Sequence, residues 1–257
     1  MDQPSNQTLE VNPGPSLGRT FSASIAVLIA GLVVLFMATG GGQSFTTETL
    51  RRQQVMAQPQ RIDAFDVTGP SGNKTTLNAL LAEGKNEGGN EGKKLWLVDF
   101  VYTRCQTVCS SLGSIYQQLQ TQIEERGLQG KVGLLSISFD PVNDDAAALS
   151  AYASRMRMNP AIWQIATLSK WQDRQRLLDA FGIMVLPAPL GEFEHNAALH
   201  VMRSDGTLIK IMDYLAYETA LDTALAAAAS SSYSYSYSSS VAGHDSIAAQ
   251  QGLSATK

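Results

Sequence analysis

The sequence predicts an α/β domain, a mixed sheet with flanking helices, preceded by one apolar helix of membrane-spanning length. Three observations carry this. Residues 95–102 (LWLVDFVY) and 132–139 (VGLLSISF) are nearly continuous apolar runs rich in β-branched and aromatic side chains, as expected of central strands covered on both faces. Between them Leu112, Ile115, Leu119 and Ile123 recur every three or four residues, the period of a helix with one buried face. Further on, residues 197–212 read as a hairpin turning about Ser204-Asp205-Gly206.

The apolar helix comes first in the chain. From Phe21 to Ala38 no side chain is charged, and with Thr20 and Thr39 the run spans about twenty residues, roughly 30 Å of helix. A cleaved signal peptide has a core of about 7 to 15 residues behind a short basic stretch. Here the preceding segment, 1–19, is longer, holds Asp2 and Glu10, and has Arg19 as its only basic side chain. An uncleaved transmembrane anchor over 20–39 is therefore expected. Arg51 and Arg52 on its C-terminal flank mildly favour keeping that side in the cytoplasm. Residues 40–58, polar and glycine-led, read as a linker, and 59–229 as the soluble domain. The tail, 230–257, opens with SSSYSYSYSSS, has no face to bury, and reads as disordered.

Within the domain, residues 61–77 form a hairpin about Gly69, Pro70, Gly72 and Asn73, followed by a short helix over 78–83 and a flexible connector over 84–92. The first central strand, 95–102, leads into a helix over 110–126 that Gly127 ends. After the second strand come helical patterns over 144–156 and 170–181, the late hairpin, and an alanine-rich helix over 217–229. A βαβ unit with an appended ββα unit is the thioredoxin-like arrangement.

Composition excludes several functions. Of 257 residues 16% are charged, and 19 basic against 23 acidic side chains without a long basic run give no footprint for a nucleic-acid backbone. Two cysteines are too few for a disulfide scaffold, so they matter only as a pair with chemistry of its own. There is no H-E-x-x-H, Walker A or nucleophile elbow.

The pair is Cys105 and Cys109, a C-x-x-x-C at the carboxyl end of the first central strand, the end at which open α/β sheets bind ligands. If the segment is helical, four residues advance about 400° and both sulfurs lie on one face. A helix N-terminus favours thiolate, and soft thiolates select Cu(I), with Zn(II) the common competitor. Two sulfurs leave a metal under-coordinated, and His195, in a loop (GEFEHNAAL) before the late hairpin, is the candidate third ligand. The plainer alternatives are two cysteines packed in a core and a solvated loop histidine. His200 lies an odd five residues on, which sets it on the opposite face of a strand, structural or exposed. Scattered methionines, Met156, Met158, Met184 and Met202 among them, read as core filler.

The run VDFVYTRCQTVC, then SISFDPVNDD, then residues 171–182 leading into EHNAALHVMRSDGTLI, resembles the SCO/SenC copper-binding proteins that assist assembly of cytochrome c oxidase. The resemblance covers residues 59–216. It implies a thioredoxin-like domain whose ligands for copper, as Cu(I) or Cu(II), are Cys105, Cys109 and His195, and it places Asp140 and Asp144 of a D-P-x-x-D segment near the site. Asp144 has a second reading as a helix cap, since it precedes DAAALSAYA. Where the family usually has proline after each cysteine this chain has Gln106 and Ser110, and Arg104 brings a positive charge beside the first thiol.

The function implied is a copper chaperone anchored in the inner (cytoplasmic) membrane by one span, its domain in the periplasm or an equivalent compartment. Its expected partner is the copper-bearing subunit of cytochrome c oxidase or another copper chaperone. Two alternatives stand beside it. One is a thiol-disulfide oxidoreductase with Cys105 and Cys109 as its redox pair, and the other a structural assembly subunit whose cysteines have lost their function.

Overall fold

The computed structural model describes residues 17–38, 47–82, 94–105, 108–227 and 229. The segment 1–16, the connector 84–92 and the tail 230–257 lie outside the described residues. The chain divides into two compact units after Leu50.

The first unit contains helix α1, Leu17–Ala38. Its window Thr20–Met37 has a mean hydropathy of 2.4 and no buried residue, so it is a helix long and apolar enough to cross a membrane. Helix α2, Thr47–Ala57, follows within the span expected to be linker. That expectation needs correction, because Val55 on α2 is only 4% exposed and joins the domain's core. Polar composition hid a helix that docks through Val55 and through Arg51 Nη2, which donates to Ala180 O.

In the second unit the strands are β1 (Gln60–Arg61), β2 (Asp66–Thr68) and β3 (Lys74–Thr76). Helix α3 (Leu77–Ala82) leads to β4 (Leu95–Val101), then α4 (Val108–Glu125), β5 (Val132–Ser138), α5 (Ala146–Arg155) and β6 (Trp163–Leu168). A 3-10 turn, Trp171–Asp173, opens α6 (Arg174–Phe181). Two short strands, β7 (Val185–Pro187) and β8 (Phe193–His195), precede β9 (Ala198–Arg203) and β10 (Thr207–Asp213). A 3-10 turn, Tyr214–Thr219, then enters a helix over 220–227.

Strands pair in the order β1-β10-β9-β4-β5-β6-β2-β3, with β4, β5 and β6 parallel and β9 antiparallel to β4. The predicted central strands are β4 and β5, and every residue of both is buried. Side chains alternate across the sheet. Trp96, Val98 and Phe100 pack with Leu77, Leu81, Leu177 and Phe181, while Leu95 and Leu97 pack with Tyr116, Leu119, Ile123 and Leu221. Two apolar layers thus enclose the sheet, which fixes the end of β4 as a rigid platform.

Sequence reading left β6 unassigned. Gln164 and Thr167 interrupt its apolar pattern, and the strand is set by parallel pairing with β5, from Leu134 opposite Trp163 to Ser138 opposite Thr167. His195, expected in a loop, instead ends the short strand β8. The helix over 110–126 begins earlier, at Val108, and ends as predicted before Gly127, whose φ of 61° suits glycine.

Candidate metal centre

The parallel sheet delivers Tyr102, Thr103, Arg104 and Cys105 at the carboxyl end of β4 as a tight turn, closed by the Cys105 N–H donating to Tyr102 O at 3.2 Å. Cys105 precedes α4 and is not itself helical, which corrects the expectation that both cysteines share one helical face. Cys109 is the second residue of α4, in its first turn, where the helix dipole favours an anion. Cys105 is half-buried and packs against the core edge. Beside it lies an open groove of about 840 Å³ lined by Thr103, Arg104, Arg155, Met156 and Glu192.

Two carboxylates hold the turn. Asp144, fully buried, accepts from the Thr103 N–H at 2.9 Å, the Thr103 hydroxyl at 2.6 Å and the Ser138 hydroxyl at 2.6 Å. Burial nevertheless raises its pKa above the ordinary value, against those three bonds. Asp144 is therefore not the helix cap of the sequence reading. That role falls to Asp145, whose carboxylate accepts from the Ala148 N–H. Asp140 accepts from Arg104 Nη2 at 3.0 Å and from Asn143 Nδ2. The Arg104 charge is thus matched by a carboxylate as it stands beside the thiol.

His195 reaches the same place from the other side. It ends β8, its ring 5.2 Å edge-on to Phe139, and its Nδ1 lies 3.1 Å from Asn196 O. A carbonyl only accepts, so Nδ1 carries the hydrogen and Nε2 presents its lone pair. Burial lowers the pKa of this imidazole, opposed by the Asn196 bond and by the charge on Cys105, which lies near enough to act on it. An imidazole and a thiol near enough to interact are a fit donor pair for a soft or borderline metal. Among the described residues no group of three or more His, Cys, Asp and Glu side chains gathers closely enough to hold a metal ion. Cys109, the second thiol of the sequence reading, stands at the second position of α4.

His200 stands apart, fully buried on β9, with Nδ1 3.3 Å from Val98 O and Nε2 3.1 Å from Phe181 O. Burial drives its pKa down to about 4, with Arg51 and Arg52 adding to the effect. It is structural, as one of the two sequence alternatives held.

Sequence reasoning missed Tyr102, Glu192 and Asn196. The Tyr102 hydroxyl donates to Glu192 Oε2 at 2.6 Å and accepts from the Phe193 N–H at 3.2 Å. Burial, then the Glu192 carboxylate, hold its pKa well above the ordinary value, and Cys105 adds to this. Asn196 donates from Nδ2 to Gly182 O and accepts at Oδ1 from the Met184 N–H. Glu192 and Asn196 flank His195 in one polar run, and nothing in their spacing sets them apart from solvated loop residues.

A family model described as SCO1/SenC matches residues 86–230, more than half of the chain. The SCO1 protein homolog of Bacillus subtilis (strain 168) is 26% identical over 194 residues, covering 74% of this chain and 88% of that one. The solved structure of BsSco, described as a member of the Sco family of cytochrome c oxidase assembly proteins with a disulfide switch, is 20% identical with a TM-score of 0.54, covering 67% of this chain and 95% of that chain. Arabidopsis thaliana ScoI, solved with copper bound, is 14% identical with a TM-score of 0.52, covering 64% and 96%. These structural likenesses establish the thioredoxin-like fold.

Proposed function

The chain belongs to the SCO1/SenC family, and from that premise we propose that it is a membrane-tethered copper carrier that serves cytochrome c oxidase assembly. The ligands are Cys105, Cys109 and His195. Copper is cargo, so the site must hold it and also release it. Two thiolates and one imidazole leave a coordination position open, through which a partner's donor enters before the old bonds break. The groove beside Cys105 gives such a donor its approach. The acceptor in this reading is the copper-bearing subunit of the oxidase or a second copper chaperone. Helix α1 is the anchor, with residues 1–19 in the cytoplasm and the domain in the periplasm or an equivalent compartment.

The observation that carries the proposal is the approach of Cys105 and His195, close enough for the charge on the sulfur to act on an imidazole whose Nδ1 is turned to Asn196 O. A purely redox role would leave that histidine without work, which sets the oxidoreductase reading second. The test is anaerobic loading of the full chain in detergent with Cu(I). A single copper per chain is expected, with tight binding lost in Cys105→Ala, Cys109→Ala and His195→Ala. Stoichiometric binding retained by His195→Ala, or a preparation that takes zinc and refuses copper, overturns it.

A further inference from the structure

The strand that carries His195 is not part of the main sheet. β7 and β8 pair with each other alone among the described strands, from Val185 opposite His195 to Pro187 opposite Phe193. Asn196 ties the base of this hairpin, through Gly182 O and the Met184 N–H. Its other end is held by side chains. Phe193 packs edge-on against Tyr102 at 5.3 Å and against Phe139 at 5.8 Å. At the centre of that cluster Tyr102 makes the polar contacts, donating to Glu192 Oε2 at 2.6 Å and accepting from the Phe193 N–H at 3.2 Å. A hydroxyl has one hydrogen, and the charged acceptor at the shorter distance takes it.

Tyr102 also belongs to the other half of the site. Its ring is buried at the end of β4, and its carbonyl accepts the Cys105 N–H that closes the thiol-bearing turn. One residue therefore holds the cysteine turn by its backbone and the histidine hairpin by its hydroxyl. Phenylalanine would fill the same space and keep the aromatic contacts, yet it would release Glu192 and the Phe193 amide.

We propose that Tyr102 is a positioning residue for the copper centre, and that its hydroxyl, latched to Glu192 and Phe193, fixes His195 relative to Cys105. The inference rests on the metal reading given above. A preformed pair of donors on two different elements spares the metal the cost of ordering the hairpin, and that saving appears as affinity. Glu192 is the latch's acceptor and makes no claim as a ligand.

The experiment uses the full chain in detergent, as wild type, Tyr102→Phe, Glu192→Gln, Glu192→Ala and the double variant Tyr102→Phe/Glu192→Ala. Hydrogen exchange of the Phe193 amide in the metal-free protein reads the latch without any copper. Competition with a chelator and the electron paramagnetic resonance spectrum of the Cu(II) form read the centre. Tyr102→Phe should speed Phe193 exchange, weaken copper about tenfold or more, and broaden the spectrum as the histidine samples several positions. Glu192→Gln, which keeps an acceptor oxygen, should restore most of what Glu192→Ala loses, and the double variant should bind no more weakly than Tyr102→Phe alone.

Unchanged Phe193 exchange in Tyr102→Phe refutes the latch. Faster exchange with wild-type copper affinity and spectrum, while His195→Ala loses copper, refutes the positioning role and leaves the metal reading intact. Wild-type affinity in His195→Ala removes the metal reading itself, whatever Tyr102 does.

Discussion

Asp144 holds Thr103 from 41 residues away, accepting both its amide hydrogen at 2.9 Å and its hydroxyl hydrogen at 2.6 Å. The loop after β5 thereby fixes the turn that ends β4, two residues before Cys105. Thr103 follows β4 and Asp144 follows β5, two buried parallel strands, so the turn before the thiol is tied to both of them.

Replacing Asp144 tests that relationship. Asp144→Ala strands three buried donors, on Thr103 N, Thr103 Oγ1 and Ser138 Oγ. Each unsatisfied buried group costs about 1–3 kcal/mol, so a loss of about 3 kcal/mol is expected in urea unfolding, with weaker copper binding because the Cys105 turn is freed. Asp144→Asn keeps one acceptor oxygen and should recover part of both. Wild-type stability in Asp144→Ala would show that the three bonds do not hold the turn.

Asp99 and His200 make opposing contributions to stability against pH. Asp99 lies in mid-β4, fully buried, with Ser136 facing it but no well-formed hydrogen bond to either oxygen, and burial raises its pKa to about 7. The folded state holds this proton more tightly than the unfolded chain, so stability falls as pH rises from about 4 to about 7. His200 is the reverse case, lowered from 6.5 to about 4, and its contribution rises with pH across that interval. The two slopes largely cancel in the wild type. Asp99→Asn should unmask the histidine, giving a gain on the order of 3 kcal/mol between about pH 4 and 6.5, while His200→Gln should unmask a fall of similar size. Urea midpoints across that range decide it, and a profile in Asp99→Asn that matches the wild type would contradict the Asp99 assignment.

What was legible in the sequence follows from how each feature is determined. β4, β5 and α4 announce themselves because burial on both faces or one stripe leaves a periodic signature. β6 does not, because its Gln164 and Thr167 are accommodated by pairing with β5, a partner remote in sequence. The cysteine pair and His195 were visible as residue types at telling places, yet Tyr102 and Glu192, 90 residues apart, meet only through the fold. Asp144 was visible with two readings, near the site or as a helix cap, since a capping pattern and a buried acceptor look alike until Thr103 arrives in the turn after β4.

The boundary between anchor and domain is open to truncation. A chain starting at residue 47 drops α1 and keeps α2, so it should stay soluble without detergent and melt like the full chain. A chain starting at residue 59 also loses buried Val55 and the bond from Arg51 Nη2 to Ala180 O at 2.8 Å. Burying one valine is worth about 1.5–3 kcal/mol, so the shorter chain should melt several degrees lower. Equal melting temperatures would return residues 47–58 to the status of a linker.

The thiols and the copper should control one another. Joining Cys105 to Cys109 removes two protons and two electrons from the pair and consumes both sulfur donors, so the oxidised chain should hold no copper until a thiol reductant restores the dithiol. Linkage requires the converse: copper, binding only the dithiol, must make the pair harder to oxidise. For a two-electron couple each tenfold of binding shifts the midpoint by about 30 mV. His195→Ala separates the two effects, because it leaves both thiols in place and removes one metal donor. Titrated anaerobically against a dithiothreitol redox buffer, the metal-free variant should match the wild-type midpoint within about 30 mV, the equivalent of tenfold. With Cu(I) present, the wild type should shift to a markedly higher (less negative) potential, because copper stabilises the dithiol, and His195→Ala by much less. Equal copper uptake by oxidised and reduced wild type would show that these cysteines are not the ligands, and an equal copper-induced shift in the variant would take His195 out of the centre.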